Sequence, residues 1–107
     1  MDIEHRIRES FARQSMMTTL GARLVTVAPG AVSIEAAIRP DLMQQHGYAH
    51  AALAFAVGDS SAGYSALSVM PEGKEVVTAE MKIHLLAPAT GERLVARGRV
   101  VKPGRRL

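Results

Sequence analysis

The sequence predicts an α+β domain in which antiparallel strands cover one long buried helix. Residues 49–70 are almost wholly Ala, Leu, Phe, Val, Gly, Ser and Met, the composition of a helix, expected over about 49–69, that is apolar on most faces and therefore buried. Residues 22–28 and 31–39 are β-branched and roughly alternating around Pro29-Gly30, the pattern of a hairpin with turn chemistry at its tip. Residues 76–86 alternate again, with Val77, Ala79, Met81, Ile83 and Leu85 on one face and Thr78, Glu80, Lys82 and His84 on the other, as in a strand with one wet face.

Each element follows from its local pattern. Ile3, Ile7 and Phe11, followed by Ala12 and Met16, recur at helical spacing among charged residues, so an amphipathic helix is expected over 3–18. Gly21, just after Leu20, is a plausible stop. The hairpin follows and Pro40-Asp41 ends it, leaving 42–48 as a loop without periodicity. The central helix then runs for five or six turns at ~3.6 residues each. Its length raises the question of a membrane span, but Asp59 sits near its middle, Ser and Gly dilute it, and its flanks lack cationic and Trp anchors, so a protein core is expected around it. Pro71-Glu72-Gly73 turns the chain into the 76–86 strand, residues 88–91 turn it again, and 94–101 forms the fourth strand. After Pro103-Gly104 only Arg105, Arg106 and Leu107 remain. Four strands are few for such a helix, so the domain is expected to lack its last strands here or to have its open edge covered by a partner.

Composition narrows the function classes. A chain of 107 residues, 48% apolar and 21% charged, is one ordinary globular domain, near the size at which oligomerisation supplements the core. The absence of cysteine excludes disulfides, a thiolate nucleophile and Cys-bearing zinc sites. His5, His46 and His84 show no ligand spacing, so no metal or cofactor is expected. The net charge of +3 matches Lys102, Arg105 and Arg106 alone; with two Phe, two Tyr and no Trp, the chain lacks the broad basic face and stacking aromatics of a nucleic-acid binder. The start, MDIEHRIRESF, mixes charges of both signs without an apolar run, which makes the cytoplasm the expected location.

The chemistry centres on Asp59, the only formal charge on the central helix. Desolvating a carboxylate costs several kcal/mol unless it is compensated. Either it makes a local bond to Ser60 or Ser61, it faces solvent on a partly covered helix, or it is catalytic. His50 lies at the expected start of the same helix, where unpaired N–H groups can receive a developing oxyanion; its simpler role is a local backbone hydrogen bond. Nine residues separate the two, roughly 13 Å and about half a turn of helix. If both serve one active site, that site lies between two chains.

The run Gln44-Gln45-His46-Gly47-Tyr48-Ala49-His50-Ala51-Ala52, followed by 53–59 ending in Asp59 and then Ser60-Ser61-Ala62-Gly63-Tyr64, resembles the N-x-x-G-x-x-H-G-G-x6-x-D-x-A-x-G signature of the PaaI-type (phenylacetic acid degradation) thioesterases of the hot-dog superfamily. The later VVTAEMKIHLLAPATGERLVARGRVVKPGRRL is similar to the family's strand pair, so the resemblance spans roughly residues 15–107. It implies a hot-dog fold over 1–107, with an antiparallel sheet wrapped around the central helix, and an acyl-CoA thioesterase working as a homodimer or dimer of dimers. Asp59 would be nucleophile or general base. The Ala51 N–H of the partner chain would polarise the thioester carbonyl, His50 would support its loop or the thioester, Gln44 would stand where the family has Asn, and Thr78 would help hold the water. Gly47 would belong to the substrate-binding loop, and Lys102, Arg105 and Arg106 would meet the phosphates of coenzyme A. Ala51-Ala52 replaces the family's Gly-Gly, and this departure keeps open a non-catalytic module that binds acyl-CoA or assembles with a partner. An enoyl-CoA hydratase, which shares the architecture with a different Asp/His spacing, ranks behind both.

Overall fold

A computed structural model describes residues 2–103. Helix α1 (Ile3–Ala12) opens on Asp2, whose carboxylate accepts the His5 N–H at 2.8 Å, the usual service of an N-cap. The expected single helix over 3–18 is broken. Arg13 and Gln14 close α1 with bonds to the Ser10 and Phe11 carbonyls, Gln14 is extended, and α2 (Ser15–Leu20) starts afresh. The break changes which residue is buried: Met17 enters the core at 2% exposure while Met16 stands 59% exposed. Gly21 ends α2 in the left-handed conformation expected of a helix stop.

The hairpin forms as the pattern requires. Strands β1 (Arg23–Ala28) and β2 (Ala31–Ala37) pair antiparallel, with a bulge between Leu24 and Thr26, and Gly30 supplies the positive φ of the turn. β3 (Arg93–Arg97) pairs with the other edge of β2, giving the order β1-β2-β3. It is shorter than the expected 94–101, although Gly98 and Val100 continue to donate to Val32 and Gly30. Across the sheet, Glu35 lies between Arg23 and Arg93.

The central helix, α3 (Ala51–Leu67), begins two residues later than expected, because Ala49 bridges Met43 and His50 serves as the N-cap. Its inner side packs on β2 and β3, joining Leu53, Val57, Tyr64 and Leu67 to Val32, Ile34 and Ala36, with Ile7 of α1. The helix is not buried all round: Ala51, Ala52, Phe55 and Ala62 remain exposed on the side away from the sheet.

Three serines tie α3 and its C-cap to β2 and the hairpin turn before it. Ser61 donates to the Val32 carbonyl, Ser65 accepts the Val32 N–H at 2.9 Å, and Ser68 accepts the Gly30 N–H at 2.7 Å. Ser61 and Ser65 are each 1% exposed, so these bonds satisfy polar groups that would otherwise be costly to bury. The helix approaches β3 so closely here that a Cβ on Gly98 would lie 2.5 Å from both the Ser61 carbonyl oxygen and Ser65 Oγ. Gly98→Ala is therefore expected to destabilise the fold by about 1–3 kcal/mol or more, read as a lower urea midpoint. A midpoint equal to that of the unsubstituted protein would show that helix and strand separate freely.

The expected strand over 76–86 does not form. Among the described residues this segment has no ladder partner. Alternation marks the two faces of a strand but names no neighbour, and a strand without one is not stable in water. The face expected to point inward is partly turned out, with Val77 89% and Leu85 63% exposed. Val76 and Met81 instead lie over Gly63 and Gly58 of α3. This crossing is what carries Thr78 to the helix. Among the described residues no helix is long and apolar enough to cross a membrane.

Candidate active site

Two of the clefts beside α3 hold most of the residues singled out by sequence. The first, of about 280 Å³, lies where residues 75–78 cross the helix; Asp59, Ser60, Gly63 and Thr78 line it, with Ser10, Gln14 and Tyr64. Asp59 is partly exposed, and Thr78 Oγ1 donates to its Oδ1 at 2.7 Å. Of the local alternatives, neither Ser60 nor Ser61 bonds to this carboxylate among the described residues, and Ser61 points into the sheet. The Thr78 bond leaves Oδ2 open to the cleft. A carboxylate held by one oxygen and open at the other can take a proton from water or attack an electrophile.

The second cleft, of about 580 Å³, sits at the start of α3 between Gln44, Tyr48, His50, Ala51 and Ala54 on one side and residues 85–89 on the other. The loop leading into the helix is held by its own hydrogen bonds. Gln44 Oε1 accepts the His46 and Tyr48 N–H groups at 2.7 and 3.2 Å, and the Gln44 N–H donates to the Tyr48 carbonyl at 2.8 Å. Gly47 has φ +83°, which explains a glycine at that position by backbone conformation. The His50 N–H reaches the Leu42 carbonyl and the Ala49 N–H the Ala89 carbonyl, so both ends of the loop are anchored.

At the helix start His50 does what its simpler reading expected. Its Nδ1 accepts the Ala52 N–H at 2.9 Å. The Leu53 N–H is spent on the His50 carbonyl. The Ala51 N–H has no partner among the described residues, and it lies at the positive end of the helix dipole, where an anionic oxygen is favoured.

The structure thus brings Thr78 to Asp59, and Gln44 to His50 and Ala51, but keeps the two groups apart: the clefts share no lining residue. Gly47 lines neither. Lys102 is exposed and also lines neither cleft. Arg105 and Arg106 lie outside the described residues. Among the described residues no group of three or more His, Asp or Glu side chains gathers as metal ligands would.

Sequence reasoning missed Ser10, Gln14 and Tyr64 beside Asp59. A signal was present: a tyrosine inside an apolar helix is buried only with a partner for its hydroxyl, and here Ser10 Oγ and Gln14 Nε2 meet Tyr64 Oη at 2.9 and 2.7 Å.

The family model described as Thioesterase superfamily matches residues 46–107. No curated protein matches the chain. Among solved structures, a thioesterase family protein from Silicibacter pomeroyi is 48% identical, with a TM-score of 0.93 over 96% of this chain and 76% of that one. The PaaI protein of the Escherichia coli phenylacetic acid degradation operon shares the fold at 17% identity, with a TM-score of 0.86 over 96% of this chain and 73% of its own. A mutant of the phenylacetic acid degradation protein PaaI from Thermus thermophilus is 26% identical, with a TM-score of 0.77 over 87% of this chain and 78% of its own. The hot-dog architecture expected from the sequence is the one these neighbours share.

Proposed function

Because the chain belongs to the thioesterase superfamily, we propose that it hydrolyses an acyl-CoA thioester at a site built from two copies of itself, each giving one of the two clefts. The observation that carries this reading is the separation of the Asp59–Thr78 pair from the free Ala51 amide, on one helix too stiff to bring them together. An antiparallel second copy supplies the missing half to each. The exposed apolar side of α3 around Ala52, Phe55 and Ala62 suits such a neighbour.

In the proposed reaction the thioester carbonyl oxygen accepts the Ala51 N–H of one copy, and Asp59 of the other faces the carbonyl carbon. Asp59 Oδ2 either takes a proton from the attacking water or attacks the carbon itself to form an anhydride that water then opens. In both routes the tetrahedral oxyanion forms against the helix-start amide and the thiolate of coenzyme A leaves. Thr78 holds Asp59 through Oδ1, and Gln44 and His50 hold the loop and the helix start. Lys102, with Arg105 and Arg106, is assigned to the coenzyme A phosphates, and a coenzyme A substrate fits a cytoplasmic enzyme.

Release of free thiol from a panel of aryl and fatty acyl-CoAs tests the proposal. Turnover of at least one of them is expected. Ligand-induced thermal stabilisation without thiol release would replace hydrolysis by the non-catalytic binding reading, which the exposed Ala51 and Ala52 methyl groups at the helix start favour.

A further inference from the structure

The Asp59–Thr78 pair depends on a segment that no ladder holds. Residues 75–88 make no backbone–backbone hydrogen bond among the described residues, so side-chain contacts keep this stretch across α3. Two of them are apolar, Val76 over Gly63 and Met81 over Gly58, and such contacts have no preferred direction. A third is the Thr78–Asp59 bond itself.

The fourth comes from α1. Arg6 Nη2 donates to the Lys74 carbonyl at 2.6 Å and to Glu75 Oε1 at 2.8 Å. This nitrogen carries two protons, one for each acceptor, so it grips backbone and side chain together. The base of the grip is fixed, because the neighbouring Ile7 is fully buried and Asp2 caps the helix. The Glu75 side chain is 78% exposed against 26% for Arg6, so solvent weakens the ion pair and the charge-assisted bond to the carbonyl is the firmer hold. Arg6 does not line the Asp59 cleft.

Three residues separate Glu75 from Thr78, a span of at most roughly 10 Å of chain, so a grip at 74–75 restricts where the Thr78 hydroxyl can reach. We propose that Arg6 is a positioning residue of the active site: it clamps residues 74–75 to α1, and the clamp keeps Thr78 bonded to Asp59 Oδ1. The inference rests on the thioesterase reading of Asp59. Arg6 acts through Thr78 alone, so its loss lets the carboxylate leave the geometry in which it meets the thioester, a misplacement that lowers kcat.

Two readouts test the clamp in the full chain: limited trypsin digestion, which needs no turnover, and acyl-CoA hydrolysis. Arg6→Met keeps the stem of the side chain and removes its donors. It is expected to speed cleavage after Lys82 severalfold, because the freed segment opens more often. The same variant should lower kcat about threefold to tenfold with KM changed less than about twofold. Arg6→Lys, which retains a charged donor, should recover part of both effects. Thr78→Val lowers kcat by itself, and adding Arg6→Met to it should cost nothing more, because no bond is left to position. Should Arg6→Met not fold by circular dichroism, Arg6→Ala takes its place in the cycle. An equal fall in kcat with and without Thr78 shows that Arg6 does not act through it and overturns the proposal. Unchanged cleavage or unchanged kcat also overturns the clamp, and both results leave the thioesterase reading intact. No thiol release from the unsubstituted protein on any acyl-CoA overturns both.

Discussion

Replacing Ala51 by proline is expected to lower kcat about 10²–10³-fold, the usual cost of one lost oxyanion donor, while the protein remains folded. Proline deletes the N–H and nothing else that α3 needs. Ala51 is the first residue of the helix, the position where proline is most welcome because its N–H would have no intrahelical partner. His50, which would precede it, has φ −65° and ψ 141°, within the region that a residue before proline adopts without strain. The N-cap bond from the Ala52 N–H to His50 Nδ1 is also untouched. Steady-state kinetics beside a thermal melt separate the outcomes: unaltered Tm with unaltered kcat would remove the Ala51 amide from the reaction.

Asp59→Asn is expected to lower kcat by about 10²–10⁴-fold, the range that a positioned general base contributes. The substitution is nearly isosteric and keeps an oxygen to accept the Thr78 hydroxyl, so loss of folding is not the expected cause of lost rate. It removes the proton-accepting and nucleophilic capacity on which both proposed routes depend. Thiol release at the rate of the unsubstituted protein would take Asp59 out of the mechanism.

The elements legible in the sequence were those whose pattern is local. The hairpin at Pro29-Gly30, the Gly21 stop and the apolar run of α3 depend on nearby residues, and each formed within two or three residues of expectation. The break at Arg13-Gln14 was not legible, because Met16 and Met17 are equally apolar and only tertiary packing decides which is buried. The 76–86 strand failed for a related reason: alternation encodes faces, whereas strand formation needs a neighbour. Ser61, Ser65 and Ser68 read as dilution of an apolar helix, yet they bond it to β2, and the need for glycine at 98 follows from that close approach.

For the site, the sequence isolated Asp59 as a charge and separated it from His50 by arithmetic alone. It could not show that Thr78 reaches Asp59, because simple alternation put Thr78 on the wet face of a strand that does not form. Nor could it show that Gln44 spends its side-chain carbonyl on the loop backbone.

Subunit complementation tests the shared site most directly. Asp59→Asn and Ala51→Pro, each nearly inactive alone, are unfolded together in equal amounts and refolded. In a two-fold dimer with sites across the interface, each mixed dimer holds one site with both halves intact, so random pairing restores about a quarter of the activity of the unsubstituted protein. Recovery no greater than the sum of the two variants, with mixed dimers demonstrated by mass, would contradict a site shared between chains.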